Sequence, residues 1–153
     1  MPSFIPNYIY TIFAMIIVGA LIIGMAGLAT SNLRQEAEKQ QLLNIAGYVA
    51  TKSLELASSA PTANSTSTVF LDIPTLIGAQ RYWIRIANDS TKAWVETGFG
   101  TSVFPSEHRT EIPLGMSASG TFVSGSGRAF LRCYSSFDGS QPEGISLEIY
   151  GDR

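Results

Sequence analysis

The sequence predicts an α+β chain: a long N-terminal hydrophobic helix followed by an antiparallel β-sandwich. Three observations predict it. Tyr8 to Thr30 contains no charged residue, and the first charge in the chain is Arg34. No proline lies between Pro6 and Pro61. Beyond residue 60 the helical periodicity gives way to short alternating apolar runs separated by turn residues. The expected division is therefore a helical segment over 1–60, its helix running from about 7 to 58, and a β domain over 61–153.

The helix comes first. At 1.5 Å per residue the stretch 8–30 is roughly 34 Å long, about the thickness of a bilayer's hydrocarbon core. It passes without a break into NLRQEAEKQQLLNIAGYVATKSLELA. A single helix over 7–58 would be about 80 Å long. Such a rod must be buried in lipid, in other copies of itself, or in each at different times. Pro2 and Pro6 suit a first helical turn. Tyr8, Tyr10 and Phe13 fit either an interfacial aromatic belt or stacking against neighbouring helices. Gly19, Gly24 and Gly27 each cost about 1 kcal/mol relative to Ala inside a helix. Small residues in an apolar helix let another backbone approach, and Ala20-xxx-Gly24 has the small-xxx-small spacing. Gly19, Ala20, Gly24 and Gly27 are thus the candidate helix–helix assembly residues. The apolar run has no basic residue before it and is too long for a removable signal.

The second half of the helix is amphipathic. Ala37, Leu42, Leu43, Ile45, Ala46, Val49, Ala50, Ser53, Leu54 and Ala57 recur at roughly helical spacing. Glu36, Lys39, Gln40, Asn44, Lys52 and Glu55 lie off that stripe. Leu43, Ala46, Val49, Ala50 and Leu54 are the candidate residues for packing against the sandwich. Ser58 to Pro61 ends the helix, and PTANSTST, 61–68, reads as a polar linker.

Strand patterns follow. Val69, Leu71 and Ile73 alternate, as do Tyr82, Ile84 and Ile86. Trp94–Val95, Thr121–Val123, Ala129–Tyr134 and Ile145–Tyr150 continue the series. Turn residues separate them: Pro74 and Gly78, Asn88–Asp89, Gly98 and Gly100, Gly125 and Gly127, Asp138–Gly139, Glu143–Gly144. Short, regularly spaced runs of this kind indicate an antiparallel sandwich or small barrel.

No catalytic, cofactor or metal site is expected. Charged residues make up 14% of the chain, against about 25% in typical soluble proteins, and the net charge is −2. The basic residues are scattered, so no nucleic-acid partner is expected. His108 is the only histidine, flanked by charge in EHRTE, and reads as a solvated loop. Cys133 is the only cysteine, set in the apolar run AFLRCYS, and reads as a buried small hydrophobe. One His and one Cys in unrelated segments do not make a zinc site. Gly120, Gly125 and Gly127 read as hairpin turns, since no helix follows for a phosphate loop. An enzyme is not expected. Asn64-Ser65-Thr66 and Asn88-Asp89-Ser90 match the N-glycosylation triplet, which makes Asn64 and Asn88 candidate modification sites.

Taken together, the uncharged apolar helix, its amphipathic continuation and the C-terminal β pattern resemble the archaeal type IV pilin superfamily. LDIPTLIGAQRYWIRI, 71–86, also resembles a segment common in archaeal pilin-like proteins. Ile5 stands where bacterial type IV pilins carry Glu, which points to the archaeal branch. The resemblance implies a basic leader cleaved just before Met1 and a subunit anchored in the membrane before assembly. It further implies a homopolymeric extracellular filament for adhesion, helices in the core and β domains outside. The alternatives are a single-pass anchored β-sandwich module contacting a surface layer, or an archaellum filament or stator component.

Overall fold

The computed structural model describes residues 5–59, 65–89, 91–104, 109–113, 117–138 and 141–152. Helix α1 runs unbroken over Ile5–Ser58. Seven strands follow: β1 (Ser65–Leu71), β2 (Tyr82–Asn88), β3 (Ala93–Phe99), β4 (Arg109–Ile112), β5 (Ser117–Val123), β6 (Arg128–Asp138) and β7 (Gln141–Asp152). The fold is α+β. The chain divides into two compact units, Met1–Lys39 and Gln40–Arg153, so the second half of α1 belongs with the strands. The composition-based boundary at the polar linker falls later than this division.

In the second unit the strands form one hydrogen-bonded sheet in the order β1-β6-β7-β5-β2-β3-β4. Every pairing is antiparallel except β5 with β7, which is parallel. The all-antiparallel expectation is corrected at that one pair. Strand β5 joins the two halves: Ser117–Gly120 pairs with β7, and Thr121–Val123 pairs with β2. Gly120 marks the handover. Its φ is +118°, and a Cβ there would lie 2.3 Å from the Ile149 carbonyl oxygen. Only glycine fits such a backbone approach. Gly120 is therefore inside a strand, not in the hairpin turn expected for it. Gly125 and Gly127 do lie in a turn, but it joins β5 to β6, which are not neighbours in the sheet.

Strand alternation puts one side of the sheet into the core. Leu131 pairs with Ile149, Cys133 with Leu147, Ile84 with Phe122, and Ile86 with Val95, and all are buried. Leu42, Ile45, Ala46, Val49, Ala50, Leu56 and Ala57 of α1 join the same core. Buried Ser53 sits among them and donates to the Val49 carbonyl at 2.7 Å, so its hydroxyl is satisfied.

The stripe differs from expectation at two of the five candidate packing residues. Ala46, Val49 and Ala50 are buried, but Leu43 is 39% exposed and Leu54 is half-buried. Leu42 takes the inward place at 7% exposure. Leu42 precedes Ile45, Ala46 and Val49 by three, four and seven residues, near the middle of the stripe, whereas Leu43, about 100° further round, falls at its edge.

Two further differences concern the strands. Ser65–Thr68 is strand, although its composition suggested a linker. Arg109–Ile112 forms β4, although its charges suggested a loop. His108 and Asn64 lie outside the described residues.

Candidate functional site

The apolar half of α1 is the largest unusual surface of the molecule. Tyr8, Tyr10, Phe13, Met15, Ile16, Leu21, Ile22, Ile23, Met25 and Leu28 are each more than half exposed. These positions point in every direction around the axis, so the segment has no polar side to turn to water. A helix hydrophobic all round is normally buried. The helix is long and apolar enough to cross a membrane, and none of its most apolar window is buried within the chain. Thr30 and Ser31 are satisfied locally: Thr30 Oγ1 donates to the Ala26 carbonyl at 2.8 Å, and Ser31 Oγ to the Leu28 carbonyl at 2.9 Å. Charge resumes with the Arg34–Glu38 pair, 3.1 Å apart, in which Arg34 is exposed and Glu38 partly buried.

The small residues expected at a helix–helix contact lie on this surface. A Cβ added to Gly19, Gly24 or Gly27 would meet nothing within 4 Å. Ala20 is exposed. No packing among the described residues requires these glycines, although each lowers helix propensity.

The sheet face opposite the core carries a second cluster, which the sequence pattern did not single out. Glu96 is 2% exposed, yet it belongs to that outer face by strand alternation. Its Oε1 accepts from Trp94 Nε1 at 2.9 Å and lies 3.1 Å from Arg109 Nε. Arg85 NH1 is 3.8 Å from Oε2, which accepts no hydrogen bond among the described residues. Arg109 also lies over the Trp94 ring, 4.7 Å from its centroid. The only sequence signal was Glu96 alternating with Trp94; its partners come from β2 and β4 and depend on register. On the other side of the same face, Arg132 donates to Tyr134 and Tyr150 hydroxyls at 3.0 and 2.8 Å. Phe130 stacks on Tyr150 with centroids 5.6 Å apart. Both clusters cover ring faces, and each leaves one buried atom, Glu96 Oε2 and Arg132 Nε, without a hydrogen-bond partner among the described residues.

Asn88 and Asp89 stand where β2 turns towards β3. Asn88 ends β2 and is exposed. Asp89 Oδ1 accepts from the Thr91 and Lys92 backbone N–H groups at 2.7 and 2.8 Å, which holds its carboxyl below the usual carboxylate range. Cys133 is buried, and burial pushes its thiol up, away from the reactive thiolate. Among the described residues no group of three or more His, Cys, Asp or Glu stands where a metal could be held. Comparison with protein-family models, with curated proteins and with solved structures gives no match for this chain.

Proposed function

We propose that the chain is the structural subunit of an extracellular filament of the archaeal type IV pilus kind, held in the membrane by α1 before it assembles. One observation carries the reading: the apolar half of α1 is exposed on all sides and is dotted with glycines that no packing among the described residues requires. A lipid anchor alone accounts for the apolarity. Close contact with other helices accounts for the glycines as well. Burying apolar surface is worth about 25 cal/mol per Å², so a helix of this length would supply tens of kcal/mol per subunit before ordering costs. The β unit, low in charge, would then face outward, where neighbouring copies meet with little repulsion. Adhesion is the function that such a filament would serve. Negative-stain microscopy of material sheared from producing cells tests this. The expected result is thin filaments whose protein is this chain; producing cells with the chain confined to the membrane would contradict it.

The second reading is a β module anchored by a single span, contacting a surface layer. The length and apolarity of the helix favour it equally. It differs in predicting a monomer in detergent and no polymer under any condition.

A further inference from the structure

The two edges of the sheet are unlike. Edge strand β4 is four residues long and carries Arg109 and Glu111, and Lys92 pairs with Glu111 beside it at 3.1 Å. Short, charged edges resist further strand pairing. Edge strand β1 is seven residues long, STSTVFL, with no charge and no proline. All seven residues pair with β6 on one side. An antiparallel strand directs the N–H and C=O of alternate residues away from its partner. On that open side no strand among the described residues is paired with β1, and the Leu71 carbonyl accepts from the Ile73 N–H at 3.1 Å. Thr66, Thr68 and Phe70 are exposed on the outer face of the sheet.

We propose that β1 is a self-pairing edge: two copies of the chain join by antiparallel β1–β1 pairing about a two-fold axis centred on Thr68. The main-chain groups of an open edge call for another extended strand. Three features select a second β1. Neither strand brings charge, so identical copies meet without like-charge repulsion. Centring on Thr68 overlaps all seven residues of each strand, from Ser65 opposite Leu71 to Leu71 opposite Ser65. It also sets Thr68 opposite Thr68 and Phe70 opposite Thr66, and Thr–Thr and aromatic–β-branched pairs are favourable across strands. The opposite edge is closed by charge, so the contact is isologous and stops at two copies. The features that select this pairing lie in β1 and involve no residue of the apolar half of α1.

Cysteine cross-linking of the full chain in detergent micelles tests it. Directly opposed residues have Cβ atoms about 4.5–5.5 Å apart, near disulfide reach. Under mild oxidation Thr68→Cys should give a disulfide-linked dimer. Thr66→Cys and Phe70→Cys should not cross-link alone but should do so when mixed. Glu111→Cys, on the other edge, and the unsubstituted chain with its buried Cys133 should stay monomeric on a non-reducing gel. In a second measurement, carbodiimide should join Thr68→Lys to Thr68→Glu chains when they are mixed, and neither when alone. Absence of the Thr68→Cys dimer, or equal cross-linking at positions 66, 68, 70 and 111, would overturn the proposal. Filaments that form while Thr68→Cys stays monomeric would overturn β1 pairing and leave the helix reading standing.

Discussion

Gly120 lies so close to the Ile149 backbone that a methyl group at its Cα would sit 2.3 Å from the Ile149 carbonyl oxygen. The contact falls where β5 leaves parallel pairing with β7 and enters antiparallel pairing with β2. Gly120 is the last β5 residue paired with β7 before the strand crosses to β2. Replacing Gly120 with Ala adds both the clash and the strain of a φ near +118°. The expected loss is about 2–3 kcal/mol, read as a lower urea midpoint with an unchanged denaturant slope. A stability equal to that of the parent chain would mean that β5 does not cross β7 in this register.

The helix stripe makes a contrast between neighbours. Leu42 is 7% exposed and Leu43 is 39% exposed. Leu42→Ala should cost roughly 2–3 kcal/mol, as buried leucines do. Leu43→Ala should stay within about 0.5–1 kcal/mol of the parent. Thermal melts of the two variants check this. Equal losses would move the stripe by one residue.

Alkali should probe Tyr82. Its ring is fully buried and its hydroxyl donates to the Pro74 carbonyl. Burial pushes its pKa up to about 12, against an ordinary value near 10. The folded state therefore keeps its proton where the unfolded chain has lost it. That contribution is whole below about pH 10 and is lost as pH rises from there towards about 12. Tyr82→Phe should flatten this part of the pH–stability curve. An identical alkaline fall in the variant would assign the effect to another group.

How far the sequence could be read follows from the range of each interaction. Ala46, Val49 and Ala50 were placed by helical spacing, a local signal, and they are buried. Leu43 was misplaced because two adjacent leucines fit a loose stripe equally well, and only the packed neighbours decide between them. Ile84 and Ile86 announced β2 by alternation. Arg109 and Glu111 hid β4, since a short charged edge strand looks like a loop until its partner is known. The parallel β5–β7 pair was not legible at all, because nothing in Ser117–Gly120 names a partner so far along the chain. The Glu96 cluster is likewise assembled from three strands.

The most direct test of the helix reading is filament yield from Gly24→Leu. Leu is the better helix former by about 0.8–1 kcal/mol and inserts into membranes more favourably. A Cβ at this position would meet nothing within 4 Å among the described residues. A helix that only anchors the chain in lipid should tolerate it or gain from it. A helix packed closely on other copies must take an overpacking cost of about 1–3 kcal/mol at every subunit. Filaments sheared from cells should therefore be few or absent while the membrane holds the variant at the parent level. Filaments at the parent yield would contradict close helix–helix contact at Gly24.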